Sequence, residues 1–153
     1  MVISYNMGKE DNKPAATGSG KSKEEDNPQA STPKGAFEEN TPQDNILLSN
    51  ILEYFNAALK HKHSKKYNSA VTLFFKAIAA LGDLFLLRNE KKIPNSHTKR
   101  FLILKNKYQE IYLILDRDFP FYQDSYTNKM NLEETELLEN DARELAKKLN
   151  LKL

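Results

Sequence analysis

The chain has 153 residues, 39% of them hydrophobic and 29% charged, with a formal net charge of +2 and no cysteine. That length predicts one domain, and the lack of cysteine excludes disulfides and thiolate chemistry and makes a cytoplasmic setting the simple expectation. Charge is unevenly spread: residues 1–44 hold five Lys against eight Asp/Glu, and residues 45–153 hold 18 Lys/Arg against 13 Asp/Glu, so the body is mildly basic, compatible with an RNA or nucleotide partner and equally with an ordinary surface.

Residues 1–44 contain four of the six Pro, four of the five Gly and two of the fifteen aromatics, Tyr5 and Phe37. Such a composition buries too little apolar surface to offset the entropy of ordering, which predicts a disordered tail over 1–44 and a folded unit over 45–153. Within the tail, Ala15-Ala16-Thr17-Gly18-Ser19-Gly20-Lys21-Ser22 imitates a phosphate-binding loop, but Ala15 stands where that motif requires its first Gly. With no strand before it and no helix after it, a linker is expected. Met1 to Met7 lacks the apolar core of a signal peptide, and Met7 offers an alternative start.

Leu48, Leu52, Phe55 and Leu59 recur at steps of 4, 3 and 4, with Ile51 and Ala58 beside them. This predicts a first helix over about 46–61, capped by Asp44 or Asn45. It ends in His61-Lys62-His63-Ser64, and two histidines two residues apart do not share a helical face, so a solvated end is expected there and no metal site. Tyr67, Val71, Phe74, Ile78, Leu81 and Phe85 then form a stronger stripe, widened by Ala70, Ala77 and Leu84 and again by Phe75, Leu86 and Leu87. A helix apolar on more than one side predicts a central element touching several neighbours and a second subunit, with Ala77, Ala79, Ala80 and Gly82 permitting close approach. Val71 to Leu87 reaches the lower edge of membrane-span length, but Lys76 and Asp83, seven apart on one face, make it amphipathic, and no membrane partner is expected.

The pattern stops at Arg88 to Lys92, and Pro94 prevents simple continuation. Asn95 and Ser96 offer caps for a third helix through Phe101, Leu104, Tyr108, Ile111 and Leu115, with a break near Lys107. Asp118-Phe119-Pro120-Phe121 is expected to close this segment and leave Tyr122 to Tyr126 as an exposed turn. Asn131 with Glu134 signals a capping box for a last helix striped by Leu138, Ala142, Leu145 and Leu149. Glu133, Glu134 and Glu136 read as its favourable first turn and not as paired catalytic carboxylates. Nothing alternates at period two, so the expected fold is all-α: a four- to five-helix antiparallel bundle preceded by the tail.

Tyr67 to Leu81 (YNSAVTLFFKAIAAL), followed by Ile93-Pro94-Asn95-Ser96-His97-Thr98 and a Leu-rich helix, resembles the HEPN family of small prokaryotic helical bundles over roughly residues 46–149. The resemblance rests on an aromatic and Ala-rich second helix, a Pro-containing turn and a Ser/Thr-His opening to the third helix. It implies a homodimer, a nucleotide or RNA ligand, a nucleotidyltransferase-type protein partner and, in members resembling ribonucleases, the toxin half of a pair. It implies no cofactor.

Those ribonuclease-like members carry an Arg, usually followed by a polar residue, and a His after four to six intervening residues. The Arg would hold phosphate in bidentate fashion, and the His would move a proton between the 2′-hydroxyl and the leaving oxygen. Arg88-Asn89 has the polar follower, but eight residues intervene before His97; Arg117 has the spacing, but Tyr122, a poor proton shuttle at neutral pH, stands where the His belongs. The alternative for the first pair is structural, with Arg88 neutralising carbonyls at a helix end and His97 binding a backbone group in the next first turn. Candidate catalytic residues are therefore Arg88 and His97, and candidate binding residues Arg88, His97, Arg100, Arg117 and Tyr122. The leading expectation is a non-enzymatic, dimeric HEPN-like binding module, with a metal-independent ribonuclease and a helical scaffold or adaptor as alternatives.

Overall fold

The structure, a computed structural model, describes residues 39–153. The expected tail lies outside the described residues over 1–38. The rest forms five α-helices: α1 (Pro42–His63), α2 (Tyr67–Glu90), α3 (His97–Lys107), α4 (Gln109–Asp124) and α5 (Leu132–Lys148), with no strand among the described residues.

α1 begins earlier than its apolar pattern does. Thr41, not Asp44 or Asn45, is the N-cap: its hydroxyl accepts from the Asp44 N–H, and the Asp44 carboxylate accepts from the Thr41 N–H at 3.0 Å. Pro42 at the first position loses no hydrogen bond, because that N–H has no helical partner anyway. The folded unit thus takes in residues that composition assigns to the tail. The buried stripe of α1 is also rotated from the expected one, running through Ile51, Phe55 and Ala58, while Leu52 faces outward at 47% exposure.

α2 is the hub, packed against α1, α4 and α5. Phe74, Phe75, Ile78, Leu81, Leu84 and Leu86 are all essentially inaccessible, each contributing roughly 1.5–3 kcal/mol by burial. By length and hydropathy α2 could cross a membrane, but 72% of its apolar 18-residue window is buried inside this bundle, which accounts for its apolarity. Lys76 and Asp83 do not share a solvated face: Lys76 is exposed beside the Tyr54 ring, and Asp83 is 8% exposed beneath α3. Equal helical phase gives unequal burial because α2's neighbours change along its length. A Cβ on Gly82 would meet Leu115 Cδ2 at 3.4 Å and Arg100 Cδ at 3.9 Å, so the small residue lets α3 and α4 approach.

The break near Lys107 falls at Tyr108, whose φ of −137° and ψ of 63° separate α3 from α4. Its hydroxyl donates to Glu90 at 2.6 Å and its ring meets Phe85 edge-on, so the kink is pinned to the end of α2. α4 does not stop at Phe119-Pro120 but runs through Pro120 to Asp124, and the expected turn at Tyr122 is helical. An interior Pro costs roughly 3 kcal/mol. Here the residues around it are held by packing, with Phe119 and Tyr122 at 5.7 and 4.9 Å from the Phe75 ring. α5 opens with the expected Asn131–Glu134 capping box.

Candidate functional site

α3 is short, packs chiefly on α4, and buries only Arg100 and Leu104. Between α3 and α4 lies a cleft of about 470 Å³ lined by His97, Thr98, Phe101, Leu102, Lys105, Tyr112, Asp116 and Phe119. Three of its walls are aromatic and mutually packed: Phe101 meets Tyr112 at 6.2 Å and Phe119 at 5.5 Å, both edge-on. Lys105 lies over the Tyr112 ring, and the exposed Leu102 forms part of the lip.

His97 stands at the edge of this cleft because Ser96 caps α3, accepting from the Lys99 N–H at 3.2 Å, which fixes the first turn. One turn on, Arg100 reaches back into the bundle. Its Nε and Nη2 each donate to one carboxylate oxygen of Asp83 at 2.6 Å, and its Nη1 lies 2.9 Å from His97 Nδ1. The Arg100–Asp83 pair is buried, with both side chains about nine-tenths covered. A guanidinium can only donate, so Nδ1 accepts and the neutral ring carries its proton on Nε2. Although His97 is exposed, desolvation beside the bundle, and then the positive charge of Arg100, hold the imidazole below its ordinary pKa, with Asp83 opposing them. A position in the first turn of α3 also disfavours imidazolium.

Arg88 belongs elsewhere. Its guanidinium donates to Asp44 at 3.3 Å, to the Leu149 carbonyl at 3.3 Å and to Asn40, tying the start of α1 to the end of α5. The one carbonyl it bonds, that of Leu149, lies at the end of α5, where the structural alternative expects those of α2. Asp83 and Arg88 are five positions apart on α2, about 140° around the helix, so Arg88 and the Asp83–Arg100–His97 row leave it in different directions. Among the described residues no hydrogen bond or ion pair joins Arg88 to His97.

Arg117 and Tyr122 also part company. Arg117 lies 2.5 Å from Asp141 Oδ2 and 3.4 Å from Asp118 Oδ1, covering a carboxyl pair between α4 and α5. Asp118 is fully buried. Burial foremost, then the charge of Asp141 and its hydrogen bond, push the Asp118 carboxyl up to about 8 against the counterweight of Arg117. Asp118 therefore keeps a proton at neutral pH and can donate to Asp141. Tyr122 is stacked on Phe75, and its hydroxyl pairs with that of Tyr126 at 2.8 Å, which raises its pKa further.

Of the five sequence candidates, only His97 and Arg100 are brought together. The residue that completes their row, Asp83, reads in the sequence only as an interruption of an apolar run. The signal was nevertheless present, since a carboxylate inside an apolar helix demands a cationic partner from outside it. Asp118 and Asp141 were missed for a related reason: each follows an apolar stripe residue at helical spacing, Leu115 and Leu138, yet is itself polar. Among the described residues no group of three or more His, Cys, Asp or Glu could hold a metal ion. Comparison with protein-family models, with curated proteins and with solved structures finds no match.

Proposed function

We propose that this protein is a non-enzymatic, dimeric HEPN-like binding module whose α3–α4 cleft takes a nucleotide, free or as a unit of RNA. The observation that carries this reading is the row Asp83–Arg100–His97, which ends at the cleft in a ring whose Nδ1 is already occupied. Such a ring is a hydrogen-bond donor to a ligand and a poor general base. Around it, Phe101, Tyr112 and Phe119 offer faces and edges for a planar base, and Lys105 offers charge for phosphate. The ribonuclease alternative draws no support from Arg88, which is occupied by Asp44 and the Leu149 carbonyl.

The test is titration of the full chain with nucleoside monophosphates and a short single-stranded RNA at low and high salt. Expected is binding that weakens as salt rises, because phosphate contacts release counterions, without cleavage of the RNA. Absence of binding at low salt refutes the module. Cleavage lost on His97→Ala would establish the nuclease instead, and a light-scattering mass of one chain would remove the dimer.

A further inference from the structure

We propose that His97 selects the ligand of the α3–α4 cleft as a fixed Nε2–H donor to an acceptor oxygen, and that Arg100 and Asp83 are the positioning residues that set its tautomer. The inference rests on the cleft reading above and specifies what the cleft recognises.

An imidazole free to choose its tautomer offers a donor or an acceptor and satisfies ligands of either kind. Here the choice is removed. Arg100 Nη1 faces Nδ1 at 2.9 Å, and Arg100 cannot rotate away without breaking two 2.6 Å bonds to a buried carboxylate. From α4, the Phe119 ring lies 6.0 Å from the imidazole, tilted by 40°. The charged groups around the ring are Arg100 on its own helix, Asp83 from α2, and Lys105 and Asp116 along the same cleft. Arg100 is the nearest of these and opposes protonation. The ring thus presents one polar function to the cleft, a neutral N–H, suited to a phosphate or carbonyl oxygen and unsuited to a donor such as an amine.

The test has two readouts on the full chain. Imidazole ¹⁵N spectra of the free protein should show His97 as the Nε2–H tautomer at neutral pH, and Arg100→Met should give a tautomer mixture and a more basic ring. Nucleoside monophosphate affinity is then compared in His97→Gln, which keeps a donor near the Nε2 position, and in His97→Asn, which moves the amide toward the Nδ1 position. Expected is near-native affinity for Gln and a loss of about tenfold for Asn. An Nδ1–H or charged ring at neutral pH overturns the proposal, as does equal affinity for wild type, Gln and Asn, which would leave the cleft standing as a binding site. No nucleotide affinity in any form, with the tautomer locked as described, overturns the cleft reading and His97's recognition role together.

Discussion

Replacing Asp118 with Asn tests the buried carboxyl pair. Asp118 is wholly inaccessible and its carboxyl is raised from 3.8 to about 8. A raised carboxyl means that the folded chain keeps a proton which the unfolded chain releases above pH 3.8. Between these values the unfolded state binds fewer protons, so stability falls as pH rises, by roughly 1.4 kcal/mol per pH unit, and levels off above the folded value. Over the whole interval the loss is at most about 6 kcal/mol. Asn has nearly the same shape and an N–H that can donate to Asp141, but it does not ionise when unfolded. Asp118→Asn should therefore flatten the dependence on pH between about 5 and 8 and stabilise the protein near neutral pH by up to about 4 kcal/mol. Urea denaturation of both proteins at several pH values, with m unchanged, reads this directly. Parallel stability curves for variant and wild type would refute the shared proton.

Other substitutions separate the remaining roles. Asp83→Ala strands a guanidinium that is about nine-tenths buried and should destabilise by about 3–5 kcal/mol, whereas Asp83→Ala with Arg100→Met should lose clearly less, as a double-mutant cycle in urea would show. Arg88→Ala should lower stability by about 1 kcal/mol and leave nucleotide affinity unchanged; a loss of affinity without loss of stability would return Arg88 to the binding site. Lys65, at φ 56°, closes α1 in a left-handed turn in which its N–H bonds the Lys62 carbonyl and the Lys66 N–H bonds that of His61. Lys65→Gly should raise stability by about 1 kcal/mol in thermal melts, and any decrease would contradict that geometry. Toward acid, the Thr41 hydrogen bonds foremost, and Arg88 after them, hold the Asp44 carboxyl below its ordinary value. Its stabilisation is present above that ordinary value and disappears as pH falls through the lowered one, so Thr41→Ala should make acid unfolding begin at higher pH.

Helix number, the Asn131–Glu134 box, the Ser96 cap and the break before α4 were legible because each depends on residues within one or two turns of one another. Helical spacing also identifies α2 as a core element, since an apolar surface wider than one stripe has to be covered from several sides. What covers each side is not a local property. The sequence places Arg88 and His97 close together along the chain, but tertiary packing sends Arg88 to the ends of α1 and α5 and brings Arg100 to His97 through Asp83. Pro120 likewise reads as a stop, and only the packing of Phe119 and Tyr122 on Phe75 accounts for the helix on both sides of it. The chain alone thus determined that the fold is helical and where most helices begin, through short-range periodicity and capping, but not the course of α4 past Pro120 or the rotation of the α1 stripe. The bundle decided which charges meet, because a buried ion pair requires partners from different helices and their distance apart is set by packing, not by spacing in sequence.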